Sequence, residues 1–233
     1  DRFPAYSFLP GLREKRYQIG GPFVKQLTFV QTRDMLLHVA DQVIDSKAFL
    51  TEIDSKIGDG DHGIGMERGM KKAKEKLLPM ENGDNVFSLF QEMGKTMLMS
   101  MGGASGVIFG TLFMGGAKGK TASSLTASGL ISLMEDSLRS IQERGKAQTG
   151  DKTMVDALVP AVDSMKNSGS DDLGELLCAA AEAARQGMEA TKNYQAKYGR
   201  AKSLQERAIG YQDAGATSTW IIFRAMAEYV QSL

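Results

Sequence analysis

Asp54-Ser55-Lys56-Ile57-Gly58-Asp59-Gly60-Asp61-His62-Gly63-Ile64-Gly65 is the stretch from which this chain is best read. Gly58 to Gly63 alone holds three glycines, two aspartates and one of the chain's two histidines. A tight backbone path would bring the carboxylates of Asp54, Asp59 and Asp61 together. At about 4 Å and an effective dielectric of ~20, each pair would repel by roughly 4 kcal/mol. A cation removes that cost, and hard oxygen ligands without cysteine favour Mg²⁺ or Ca²⁺ over zinc. A metal-binding loop is expected.

Three other readings of the stretch compete with this one. Gly58-x-Gly60-x-x-Gly63 matches the dinucleotide fingerprint, but no apolar strand precedes it and aspartates stand beside the expected pyrophosphate. Asp59-x-Asp61 fits the start of a calcium hand, yet the twelfth position, which needs Glu, is Met70. A solvated turn is the plainest reading of Gly and Asp, although this density exceeds what a turn requires.

The 233 residues suffice for a substantial core in one large domain or two small ones. Lys and Arg number 28 against 28 Asp and Glu, so no general field draws nucleic acid or an anionic membrane. The one cysteine, Cys178, sits in an alanine-rich run, cannot form an internal disulfide and suits a reducing cytoplasm. No apolar run approaches a bilayer-spanning length, and no secretory signal pattern appears.

Residues 1–28 read as an irregular N-terminal extension, with Pro4, Pro10, Pro22, Gly20-Gly21 and the aromatics Phe3, Tyr6, Phe8 and Tyr17. The chain opens on Asp1 rather than Met, which reads as a processed or appended end. Residues 29–233 read as one helical domain. Apolar residues recur at helical spacing from Met35 to Ile44, and a short turn through Phe49 and Leu50 is expected to deliver Asp54. Further helices are expected from Gly63, over Val86–Ser100, from Gly106 through Phe113, and from Leu130 to near Gly145. Others follow through Val162 and Met165, after an acidic cap at Asp171-Asp172, and through Trp220 to Tyr229. Strand signals are nearly absent. The class is all-α, about eight amphipathic helices running up and down.

Four glycine-rich polar loops stand apart: residues 54–65, 101–106, 145–154 and 199–215. Helices joined by short loops alternate in direction, so alternate loops share one end. Glycines before a helix leave N–H groups that converge on an anion, helped by the helix dipole. Close helix packing explains Gly102-Gly103 equally well. A P-loop does not apply, since neither Gly94-Lys95-Thr96 nor Gly119-Lys120-Thr121 has the earlier glycine. Gathered together, the four loops would make a nucleotide site without a β-sheet.

The ordered set Asp54…Gly58-Asp59-Gly60-Asp61-His62-Gly63, Gly102-Gly103-Ala104-Ser105-Gly106, Gly145-Lys146…Gly150-Asp151-Lys152-Thr153-Met154 and Gly199-Arg200-Ala201…Asp213-Ala214-Gly215-Ala216 resembles the nucleotide-binding L subunit of dihydroxyacetone kinase. The resemblance runs from about Phe29 to the C-terminus. It implies a closed antiparallel barrel of eight helices with ADP or ATP at one end. Asp54, Asp59 and Asp61 would hold two Mg²⁺ ions. His62, Gly63, Ile64 and Gly65 would lie against the nucleotide, Ala104 and Ser105 would contact phosphate, and Gly145, Met154, Arg200, Asp213, Ala214 and Gly215 would complete the pocket. No general base is assigned, because phosphoryl transfer rests on positioning and charge neutralisation.

The resemblance also implies partners: a separate K subunit that binds dihydroxyacetone, a multi-phosphoryl protein of the sugar phosphotransferase system, and in some members a transcription regulator. The balanced charge argues against direct nucleic-acid contact, the lack of an apolar span against a membrane and the lone cysteine for a cytoplasmic location, while the oligomeric state stays open, with a homodimer as one option. His62 and the separate chain match the branch that keeps ADP bound. Gly60 replaces a frequent alanine of that branch, Gly65 and Glu67 replace asparagines, and Ala214 replaces a frequent proline. An ATP-dependent ketose kinase subunit and the nucleotide-binding part of a fatty acid kinase are the enzymatic alternatives, and a regulatory partner of a transcription factor is the non-enzymatic one.

Overall fold

Thr28 starts the first helix by a reciprocal cap. Its hydroxyl accepts from the Gln31 N–H at 3.2 Å, while the Gln31 side chain accepts from the Thr28 N–H at 3.0 Å. The computed structural model describes residues 22–233, so the greater part of the expected extension, residues 1–21, lies outside the described residues.

Nine α-helices follow among the described residues. They are α1 (Phe29–Asp45), α2 (Lys47–Ile57), α3 (His62–Leu77), α4 (Phe87–Met101), α5 (Gly103–Met114), α6 (Ala127–Gly145), α7 (Val155–Asn167), α8 (Leu173–Ala190) and α9 (Ala214–Gln231). A 3-10 turn, Thr191–Asn193, and a kinked 3-10 segment, Arg200–Ala208, lie between α8 and α9. The all-α class holds.

One helix differs from the sequence expectation. Phe49 and Leu50 form no turn; they lie inside α2, so Asp54 projects from a helix. Only Leu50 and Ile57 of α2 are buried, which leaves too little periodic signal to separate a short helix from a turn. Ser46 makes the break between α1 and α2, its hydroxyl donating to the Gln42 carbonyl at 2.7 Å.

The packing order follows the chain. α3 packs on α4, α4 on α5, α5 on α6, α6 on α7, α7 on α8 and α8 on α9, while α1 lies against both α9 and α3. α2 packs on α3 and α9. Phe90, Phe113, Phe223, Leu36, Met66 and Met70 are among the side chains fully enclosed between these helices.

Two short strands, β1 (Gln26–Leu27) and β2 (Leu125–Thr126), pair antiparallel, with Leu27 opposite Leu125. The Val24 N–H donates to Asp172 Oδ1 at 3.0 Å, and its carbonyl accepts from the Leu173 N–H at 2.9 Å. Residues 24–27, in the segment expected as extension, are therefore tied to the helical body. No helix among the described residues is long and apolar enough to cross a membrane.

Glycine sets a close contact between α4 and α5. A Cβ on Gly94 of α4 would fall 2.4 Å from the Gly110 carbonyl oxygen of α5, and one on Gly110 would fall 2.8 Å from that of Gly94. This approach fixes α5 behind the site. Gly to Ala in a helix ordinarily stabilises by about 0.5–1 kcal/mol. Gly94→Ala is expected to do the opposite, lowering stability by about 1–3 kcal/mol through overpacking, read from urea unfolding at unchanged m-value.

Candidate functional site

The loop from α2 to α3 folds back on its own helix. Gly58 ends α2 in extended conformation, and a Cβ there would fall 2.2 Å from Asp54 Oδ1, so any side chain would push this carboxylate from its place. Gly60 follows with φ +75°, in the left-handed region. The result brings carboxylate oxygens of Asp54, Asp59 and Asp61 within 4.8 Å of one another. Asp54 also anchors the loop, since its Oδ2 accepts from the His62 N–H at 3.2 Å, at the start of α3.

Electrostatics mark this cluster as cation-seeking. Partial burial, the charge and hydrogen bond of Asp59, and the charge of Asp54 all raise the Asp61 pKa, with Arg200 opposing them. Arg200, at the head of the kinked 3-10 segment, places Nε 2.9 Å from Asp59 Oδ2 while its side chain stays 78% exposed. The donors are all carboxylate oxygens, with no thiolate among them. This set fits a hard divalent cation such as Mg²⁺.

His62 lies beneath the loop and is buried. Its Nε2 is 2.8 Å from Ser218 Oγ on α9, and its ring is tilted against Phe109 of α5 at 5.8 Å between centroids. Burial lowers its pKa to about 4, against the pull of Asp54. It is a neutral imidazole at pH 7 that joins α3, α5 and α9. Its chain neighbour Gly63 is close-packed as well, since a Cβ there would meet the Lys47 carbonyl at 2.4 Å.

Two helix N-termini add unpaired donors. In α3 the first helical bond runs from the Gly65 N–H to Asp61 O at 2.9 Å, so the amides of Gly63 and Ile64 have no partner within the helix. In α5 the first runs from the Gly106 N–H to Gly102 O at 3.2 Å, leaving those of Gly103, Ala104 and Ser105. Gly102 and Gly103, at φ +74° and +61°, make this turn, and Arg68 of α3 donates to the Met101 carbonyl beside it. Ser105 lies one turn before Phe109, on the face of α5 that meets His62. Ile64 is exposed, and Gly65 has open space where a side chain would point.

A third wall comes from residues 146–154 and the approach to α9. Met154 is buried, and a Cβ on Gly215 would lie 3.3 Å from its Cβ. Asp213 caps α9, accepting from the Ala216 N–H at 2.7 Å. Burial pushes Asp213 up to about 7, opposed by that bond and by Lys152. Ala214 is buried at the first position of α9, and Gly145 closes α6 with open space beside it.

The structure thus joins Asp54, Asp59, Asp61, His62 and Arg200 directly, and Met154 with Gly215. Ser105 stands one helical turn from Phe109, whose ring packs on His62. Sequence reasoning missed Ser218, Phe109 and Thr191, whose parts are visible only when distant helices meet; Lys152 was legible only as one member of a polar run.

The DAK2 domain family matches residues 56–228. The chain belongs to this family. Among its DAK2 relatives, the ADP-binding subunit DhaL of the PEP-dependent dihydroxyacetone kinase of Escherichia coli (strain K12) is 40% identical over 204 residues, covering 86% of this chain and 97% of the relative. The corresponding subunit of the PTS-dependent kinase of Lactococcus lactis is 38% identical, covering 88% and 99%. Within the DAK2 family the chain therefore resembles the dihydroxyacetone kinase L subunit across most of its length. The crystal structure of the dihydroxyacetone kinase from C. freundii in complex with AMP-PNP and Mg²⁺ has the same fold, with a TM-score of 0.68 at 24% identity. That alignment covers 97% of this chain and 38% of the larger protein.

The buried His62 predicts a pH dependence. Between pH 6.5 and about 4 the unfolded chain protonates this imidazole and the folded chain does not. The stability it contributes is complete above pH 6.5 and is lost as pH falls toward 4, by about 3 kcal/mol. His62→Gln is expected to remove this slope, so the wild-type minus variant difference from urea unfolding should change across pH 6.5 to 4 and level off outside it.

Proposed function

We propose that this chain is the nucleotide-holding subunit of a dihydroxyacetone or related short-ketose kinase, incomplete without a separate K subunit that holds the ketose. One observation carries the reading: three carboxylates lie within 4.8 Å of one another, with the exposed Arg200 on Asp59, in the loop that opens on the free amides of α3. A nucleoside di- or triphosphate needs both kinds of partner, metal-binding oxygens and phosphate-facing donors.

In this reading Asp54, Asp59 and Asp61 hold Mg²⁺. One divalent ion would leave three carboxylates and a diphosphate under-neutralised; two ions together with Arg200 come close to balance. Bound there, Mg²⁺ supplies charge neutralisation to the phosphates of ADP or ATP. The amides of Gly63 and Ile64, and those of Ala104 and Ser105, face the phosphates, and Gly65 leaves open space beside them. With a cation on Asp59, the exposed Arg200 would be free to pair with phosphate. Met154, Asp213, Ala214, Gly215 and Gly145 form the side that receives the base, with Met154 and Ala214 as its buried apolar side chains. His62 holds the loop rather than moving a proton, because its Nε2 is already engaged by Ser218.

The relatives support the branch that keeps ADP and receives phosphoryl groups from the sugar phosphotransferase system, since separate subunits so named align over nearly their whole length. Glu67 is engaged by lysines rather than offered to a ligand: its carboxylate pairs with Lys47 at 2.6 Å and Lys71 at 2.9 Å. The D-erythrulose kinase of Mycolicibacterium smegmatis, 34% identical, keeps other ketoses open as acceptors. It is a longer protein, of which the alignment covers 34%. The circular order of helix packing, α1 meeting both α9 and α3, supports a closed barrel. The unpaired Cys178 is in keeping with a cytoplasmic location.

Asp59→Asn and Asp61→Asn are expected to lower Mg-ADP affinity by more than the roughly 10–100-fold typical of a residue that merely supports a metal ligand. Calorimetry at constant helical circular dichroism checks this; unchanged affinity would remove the metal assignment. Mass analysis of nucleotide released from freshly purified protein should show ADP, whereas an empty pocket would favour free exchange of ATP.

A further inference from the structure

Lys152 is an odd residue to enclose. Its side chain is 2% exposed, and its backbone has φ +62°, a left-handed conformation that only a well-held residue sustains. The ammonium donates to two main-chain carbonyls, Thr191 O at 2.6 Å and Tyr211 O. Thr191 ends α8, and its hydroxyl accepts from the Asp213 N–H at 2.9 Å. One side chain thus ties the 146–154 loop to the end of α8 and to the segment entering α9.

What these three segments carry gives the tie its meaning. Met154 comes two residues after Lys152, and Asp213 and Gly215 come two and four after Tyr211. Met154 and Gly215 are the pair that touch across the third wall. A methionine would fill the same space without the cost of burying a charge, so packing alone does not account for lysine. Two carbonyls aimed at one point do account for it, since an ammonium can serve both at once. Burial lowers the Lys152 pKa, while Asp213 and Asp156 oppose that and favour the charged form.

We infer that Lys152 is a positioning residue: through Thr191 and Tyr211 it sets the spacing of Met154 against Asp213–Gly215, and with it the base side of the nucleotide site. The inference rests on the nucleotide reading above and adds a division of labour to it. The carboxylate loop grips metal independently, and Lys152 acts only on the wall that receives the base.

Two variants of the full chain test this, Lys152→Met and Thr191→Val, the second removing only the hydroxyl that holds the Asp213 N–H and donates to the Met188 carbonyl in the preceding turn. Mg-ADP affinity is measured by calorimetry, and Mn²⁺ affinity without nucleotide by electron paramagnetic resonance. Lys152→Met should weaken Mg-ADP tenfold or more and leave Mn²⁺ within twofold; Thr191→Val should show the same pattern with a smaller loss. Parallel loss of both ligands would make Lys152 a general structural residue and overturn the inference, as would unchanged ADP affinity. If Lys152→Met does not fold, Thr191→Val alone decides on the same criteria. Wild-type protein that binds Mn²⁺ but not Mg-ADP would instead overturn the nucleotide reading, and this inference with it.

Discussion

Mutual repulsion among Asp54, Asp59 and Asp61 is the constraint on which the rest of the site depends. Carboxylate oxygens held within 4.8 Å need a counter-charge, and Arg200 on a distant segment supplies one to Asp59. The protein maintains the cluster by covalent and packing means. Asp54 is fixed on α2, Gly58 leaves this carboxylate its place, Gly60 takes the left-handed turn, and the His62 N–H anchors the loop to Asp54.

Behind this loop the helices act as one frame. His62 bonds Ser218 of α9 and packs on Phe109 of α5, so the carboxylate loop, α5 and α9 share a buried junction. The close approach of Gly94 and Gly110 seats α5 on α4, and Arg68 holds the corner between them. Helix starts therefore carry the free amides of α3 and α5, an arrangement that suits a reaction dependent on placement more than on covalent chemistry.

The 146–154 loop and the approach to α9 follow a different logic. They are irregular, contain the positive-φ residues Lys146, Gly150 and Lys152, and are held by buried charges. Asp151 accepts from the Gln148 N–H and pairs with Lys197; Asp156 accepts from Gly150 and Thr153. Polar side chains here substitute for the regular hydrogen bonding that helices provide elsewhere.

The sequence by itself determined the helical class, most helix spans, and the clustering of aspartates about flexible glycines, because periodicity, capping residues and backbone freedom are local properties. It missed α2, whose few buried residues leave no clear period, and so placed Asp54 on a turn. Only the tertiary structure decided that His62 faces Ser218, that Arg200 reaches Asp59, and that Lys152 is enclosed. Each of these joins residues more than thirty positions apart, and no local pattern encodes which distant helix supplies the partner. The separation also explains why Glu67 reads as a departure in one dimension and as a settled ion pair in three.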